Sequence, residues 1–236
     1  MKPEHLVIIP DGNRRWAKKR NLPPWKGHET GAETLRRIAK NVIVDNDIKY
    51  FTFWAMSKDN FEKRSKQEIN MLIKLISKGI QAFYKERFIK EKEVAINFYG
   101  AWKEFFSKTT VQKLEKIQKE TKKYTKHYIS ILLIYDGQEE LSRAINLLCK
   151  DYNKKQNNNI DINTIKNYLW TRTLPNVDFI IRTGIENDPH LSGNMLMLQT
   201  GYSQLYFTKT FWPDFDNNEL KIALNNYEQR EKRQGK

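Results

Sequence analysis

The stretch "LVIIPDGNRRWA" (residues 6–17) runs from four aliphatic residues and a proline straight into Asp-Gly-Asn, two arginines and a tryptophan. A short apolar run without alternation is the pattern of a strand covered on both faces, as in the interior of a parallel sheet. Gly12 permits a tight turn, and Asn13 opens a helical segment whose free N–H groups can hold an anion. Ligands of open α/β sheets bind beyond the carboxyl ends of the strands, which is where Asp11 falls. Arg14 and Arg15 add permanent charge suited to phosphate. A carboxylate inside such a site would repel a bare phosphate unless a divalent cation lay between them. Asp11 therefore reads as a Mg²⁺ ligand bridging to phosphate oxygens. For an isolated Asp-Gly an N-cap or turn role would be the default; the adjacent arginines and a distant "RTG" turn reverse that preference.

Further apolar or aromatic runs follow at intervals: "KYFTFWAM" (49–56), "EVAINFYG" (93–100), "YISILLIY" (128–135), "DFIIRTG" (178–184) and "SQLYFTKTFW" (203–212). Helical patterns separate them over 30–45, 66–92, 103–124, 138–152, 161–171 and 216–233. In 66–92, Ile69, Leu72, Ile73, Ile76, Ile80 and Phe83 recur at spacings of three and four. Regular alternation of strand and helix predicts βαβ units, hence an α/β fold with a mainly parallel sheet and helices on both faces. The polar stretch 150–163 predicts an exposed loop inside one domain.

The chain of 236 residues carries 42 Lys+Arg against 28 Asp+Glu, a formal net charge of +14. Such a balance suits nucleic acid, an anionic membrane surface or phosphorylated small molecules. Lysine far outnumbers arginine, so the excess equally fits a general compositional bias. The few arginines, clustered at the special turns, are more informative. No apolar run approaches the ~18 residues that span a bilayer, and no secretory pattern is visible. The single cysteine, Cys149, excludes an internal disulfide and predicts a reducing, cytoplasmic setting. Its place in "AINLLC" predicts a core position.

Two more motifs fall at strand ends: "SKDNFEKR" (57–64) and "RTGIENDPHLSGN" (182–194). Arg182 offers charge, while Ser57, Asn60, Thr183 and Ser192 offer hydrogen bonds. His28, in "WKGHETGAE", precedes a helix. Dinucleotide and P-loop glycine signatures are absent. His28 and His190 lack zinc-ligand spacing.

In order along nearly the whole chain, "IIPDGNRRWAKKR", "GHETGAE", "AMSKDNFEKR", "IIRTG" and "YSQLYFTKTFWPDF" resemble the cis-prenyltransferase family of the undecaprenyl diphosphate synthase type. The resemblance implies a central six-stranded sheet surrounded by helices, with residues 1–236 as one catalytic domain around a hydrophobic tunnel. It also implies a homodimer, peripheral contact with a membrane, and Mg²⁺-dependent condensation of isopentenyl diphosphate with an allylic diphosphate. Asp11 would then bind Mg²⁺ and the allylic diphosphate as the main catalytic residue, and Asn60 matches the proposed proton acceptor. Gly12, Asn13, Arg14 and Arg15 would wrap the diphosphate, with Trp16 and His28 shaping the site. Ser57, Lys58, Asp59, Phe61 and Lys63 belong to the motif beside Asn60; Arg182, His190 and Ser192 match the isopentenyl diphosphate side. Arg233 to Gly235 resembles a tail that reaches the partner subunit. Ile69, Leu72, Ile76 and Phe83 would line the tunnel.

The pattern departs in places. Gln204 replaces a metal-binding Glu, and Lys63 or Arg64 must supply a charge that the family takes from Asn-x-Arg-Pro. His190 stands for a second arginine, Pro24 occupies the approximate place of another, and "IYDGQEE" (134–140) is acidic where the family is basic. A synthase making the lipid carrier for glycan assembly is the leading expectation. A short-chain or irregular synthase, a non-catalytic partner subunit, and a basic nucleic-acid binder are the alternatives.

Overall fold

A computed structural model describes residues 2–155, 160–187, 189–191 and 194–230. Successive residues of the first strand, β1 (His5–Ile9), point into two separate cores. Leu6 and Ile8 enter the larger one, which also holds Ile38, Phe51, Phe53 and Ile131. Val7 and Ile9 enter the smaller one, with Trp54, Leu132, Tyr135 and Ile180. Period-two alternation in an apolar run buries both faces at once, so the strand reads as uniformly hydrophobic.

After β1 the chain forms α1 (Asn13–Lys19), α2 (Pro24–Lys40), a π-helical turn (Asn41–Asp45) and β2 (Tyr50–Ser57). Next come α3 (Lys58–Lys63), α4 (Lys66–Tyr84), α5 (Arg87–Glu91) and β3 (Val94–Tyr99). α6 (Trp102–Phe105), α7 (Lys108–Thr121) and β4 (His127–Tyr135) follow. The chain continues through α8 (Gly137–Lys155), α9 (Ile162–Lys166), β5 (Phe179–Arg182) and β6 (Gln204–Phe207), and α10 (Asn217–Glu228) comes last. Among the described residues the six strands form one sheet in the order β3-β4-β2-β1-β5-β6. Every neighbouring pair is parallel.

All six strands lie where the apolar runs predict them, and the helices differ mainly at their ends. α2 starts earlier than predicted, because Pro24 fits the first turn of a helix, where no N–H partner is needed. The predicted helix 66–92 divides at Glu86, whose extended backbone lets Phe88 fold back edge-on against Phe83. Helix 103–124 divides at Ser107, whose hydroxyl accepts from Thr110 N–H and caps α7. α9 is shorter than predicted; beyond it, Thr171 donates its N–H and hydroxyl to the buried Glu140 carboxylate. β6 ends at Phe207, where Thr208 and Thr210 donate to Glu219 and draw the chain off the sheet. Residues 153–155, predicted as loop, continue α8. Cys149 corrects a second expectation: it is exposed. Helical spacing buries Ala144 and Leu148 and turns Ile145, Leu147 and Cys149 outward.

Candidate active site

β1 leads toward β2 on one side of the sheet and β5 leads toward β6 on the other, so the loops after β1 and β5 diverge. A crevice opens at their carboxyl ends. Register sets Ile9 beside Arg182, two residues before Asp11. The Asp11 backbone carbonyl accepts from Thr183 Oγ1 at 2.9 Å and Trp212 N–H at 3.0 Å. Its carboxylate is therefore held in place. Oδ1 accepts from Arg15 at 3.0 Å and from Gly12 N–H at 2.6 Å, and Oδ2 accepts from Arg182 at 3.0 Å. Arg182 is buried, and its second terminal nitrogen donates to the His190 carbonyl at 2.7 Å. The Asp11 side chain stays 37% exposed, facing a ligand space with a cation on each oxygen.

Glycine is required where the backbone closes over this site. Gly12 has φ 102, and a Cβ there would stand 2.5 Å from Phe211 Cδ1. α1 rests so closely on α2 that a Cβ on Gly27 would lie 2.0 Å from the Asn13 carbonyl oxygen. A Cβ on Gly31 would lie 2.4 Å from Asn13 Oδ1. The glycines of "GHETGAE" thus let two helices meet. His28 stands between them, its pKa lowered to about 4 by burial, then by the charges of Arg64 and Arg14. It is neutral at pH 7.

These groups form the polar end of a cavity of about 1160 Å³. Asp11, Gly12, Asn13, Arg14, Arg15, His28, Ser57, Asp59, Asn60 and Arg182 line it, as do Lys18, Arg64, Asp136 and Asn194. Away from the charges the walls are α2 (Gly31, Ala32, Leu35, Arg36) and α4 (Leu72, Leu75, Ile76, Gly79, Ile80, Phe83). Ile69 is buried beside this stretch without lining it.

Several expected contacts fall elsewhere. Trp16 donates its Nε1–H to Asp214 at 2.7 Å, Arg20 covers its ring at 4.3 Å, and it anchors α1 away from the cavity. Lys58 pairs with Glu139 and Lys63 with Asp59, while Phe61 packs on Phe105. None of these three lines the cavity; of the two cations weighed for that position, Arg64 does. His190 meets the site through its backbone, with an exposed side chain. Gln204 begins β6 opposite Phe179, at the amino end of the strand. It lies three residues, about 10 Å, below the level of Arg182. Within one chain it therefore cannot share an ion with Asp11, which corrects the metal pairing weighed for it. Ser192 and Arg233 to Gly235 lie outside the described residues. Lys18, Asp136 and Asn194 were missed, although Asp136 follows β4 as Asp11 follows β1 and the same strand-end rule finds it.

Among the described residues no group of three or more His, Cys, Asp or Glu is arranged for a metal. The donor set still fits Mg²⁺ arriving with a diphosphate. That ion takes one or two carboxylates and fills its other positions with phosphate oxygens and water.

The family model described as undecaprenyl diphosphate synthase matches residues 9–235. An isoprenyl transferase of Clostridium tetani is 36% identical over 99% of this chain and 89% of its own length. A geranylgeranyl-diphosphate-specific tritrans,polycis-undecaprenyl-diphosphate synthase of Pyrococcus furiosus is 34% identical, over 99% and 87%. Among solved structures, lavandulyl diphosphate synthase from Lavandula x intermedia, in complex with dimethylallyl diphosphate, superposes with a TM-score of 0.92. It is 25% identical, and the match covers 100% of this chain and 99% of that one. By sequence, by fold and by the motif residues gathered around Asp11, the chain belongs to the undecaprenyl diphosphate synthase family.

Proposed function

We propose that this protein is a cis-prenyl diphosphate synthase joining isopentenyl diphosphate to an allylic diphosphate, with Asp11 at the centre of the reaction. One observation carries the reading: a carboxylate clasped by Arg15 and Arg182 at the charged end of a cavity whose other walls are mostly apolar. That division into polar head and apolar tail is the division within a prenyl diphosphate.

In the reaction, the allylic C–O bond breaks and its electron pair leaves with the diphosphate. The isopentenyl double bond attacks the allylic carbon, and a proton is then lost. Arg14, Arg15 and Arg64 would bind and orient the leaving polyanion, in a pocket where fixed charges act more strongly than in water. Bound with the diphosphate, Mg²⁺ would supply further charge neutralisation, with Asp11 holding it. Neutral His28 can donate a hydrogen bond without adding charge. Arg182, tied to Asp11 and to the segment after β5, would bridge the two substrates. Asn60 and Ser57 line the cavity, and Asn60 would receive the proton; an amide is too weak a base to keep it, so Asn60 would pass it to water or released diphosphate.

Among the described residues no helix is long and apolar enough to cross a membrane. We assign the protein to the cytoplasm as a homodimer in peripheral contact with the bilayer that receives its product. The likeness to a structure holding dimethylallyl diphosphate favours one second reading, a short-chain or irregular synthase.

Radiolabelled isopentenyl diphosphate, incubated with Mg²⁺ and dimethylallyl, geranyl, farnesyl or geranylgeranyl diphosphate, tests the proposal. Labelled Z-polyprenyl diphosphates, abolished by EDTA, are expected. Absence of incorporation with every primer would overturn it, and product chromatography separates long, short and irregular products. Sedimentation velocity checks the dimer.

A further inference from the structure

The two helices that wall the cavity run together from its polar end to its far end. His28 on α2 feels the charge of Arg64, just before α4 begins. Midway, the Cβ position of Gly79 on α4 lies 3.7 Å from Ala32 Cβ on α2. At the end of α4, Arg36 donates through Nε to Glu86 Oε1 at 3.0 Å, with a second bond from its terminal nitrogen. His28 and Arg36 are about 12 Å apart along α2, and Leu72 and Phe83 about 16 Å apart along α4. Charged lining residues other than Arg36 lie on α1, at the strand ends or in the segments just after them, or next to these.

Arg36 is thus a charge at the tail end of an otherwise apolar passage. It lines the cavity on one side, while its side chain is 46% exposed and that of Glu86 30%. Taken as an ordinary surface ion pair, Arg36–Glu86 would contribute ~0–1 kcal/mol to stability and nothing else. Its place makes it more than that. A hydrocarbon end that reaches it must part α2 from the α4–α5 bend, and it must press against charged groups that the chain cannot satisfy.

We propose that the Arg36–Glu86 pair is the clasp that closes the far end of the hydrocarbon passage and sets the product length of this enzyme. The inference rests on the synthase reading and deepens it: Arg36 and Glu86 are specificity-determining residues remote from the chemistry. With the clasp closed, elongation ends when the chain fills the passage. With it broken, the chain threads outward between α2 and α4 and growth continues.

The test is product sizing for the wild type, Arg36→Ala, Glu86→Ala and the charge-exchanged double variant Arg36→Glu/Glu86→Arg, each with labelled isopentenyl diphosphate and the best primer. Arg36→Gln and Glu86→Gln, which keep shape and remove charge, replace the alanine variants if those melt early. Single variants are expected to lengthen the main product by at least one five-carbon unit, and the exchanged pair to restore the wild-type length. Folded single variants with unchanged or shorter products would overturn the clasp alone, as would an exchanged pair that stays long. A wild type that incorporates no label overturns both the clasp and the synthase reading.

Discussion

Each oxygen of the Asp11 carboxylate meets a different arginine, and the backbone carbonyl of the same residue is held by two donors from distant segments. Asp11→Asn keeps this shape and removes the charge, so the fold should survive while kcat for label incorporation falls by ~10²–10³-fold or more. Turnover within tenfold of wild type would remove the carboxylate from the reaction. Neutral histidines give a second expectation. His5 is fully buried, donating through Nδ1 to the Pro175 carbonyl and accepting from Thr52 at Nε2. Burial lowers its pKa to about 4. The unfolded chain, with a histidine pKa of ~6.5, binds the proton first. The stability due to neutral His5 is therefore complete above that pH and is lost as pH falls toward 4. The full loss is about 3 kcal/mol. Urea midpoints at pH 7 and 4.5 should fall less for His5→Asn than for wild type; an equal fall would exclude His5 as a source.

α1 and α2 can approach only because Gly27 and Gly31 present no side chain to Asn13. In Gly27→Ala the new methyl would meet backbone, which cannot rotate away, so the helices must separate. A loss of ~1–3 kcal/mol of stability is expected. Substrate binding should weaken with it, because Asn13, Arg14 and Arg15 ride on α1. Thermal melts paired with KM measurements check both; unchanged values would mean that α1 is free to shift. The same element view explains why helix ends are harder to read than strands. An apolar run longer than its buried stripe, as over 66–92 or in "AINLLC", carries no mark of where packing stops. Glu86 breaks its helix where its carboxylate engages Arg36, a residue fifty positions away in sequence.

The sheet, α2 and α4 together wall a cavity that no single segment defines. Gly79 and Ala32 both line it, and a Cβ added at Gly79 would stand in ordinary contact, 3.7 Å from Ala32 Cβ. A larger side chain there should fill the passage above the far end. Gly79→Leu is expected to shorten the product by one or more five-carbon units while initial coupling continues; products of wild-type length would place the growing chain elsewhere. The molecule also gathers cations where the chain reverses direction beyond the strands, so the arginines act as a local pocket instead of a basic face of the kind nucleic acid requires.

Apolar continuity in 6–9, 49–56, 128–135 and 178–181 determined the parallel sheet by itself, because a strand covered on both faces leaves no other pattern. The turn residues Asp11 and Gly12 and the arginines at strand ends likewise marked the polar end of the cavity, since that edge is where helix starts and loops converge. Sequence could not say which neighbours of those motifs face inward. Trp16, Lys58, Phe61 and Lys63 share motifs with cavity residues yet point elsewhere, and Asp136 and Arg36 enter the cavity from outside them. Helix rotation and the meeting of distant segments decide such directions. Both are settled by packing across the whole fold, where a side chain's place depends on partners tens of residues away.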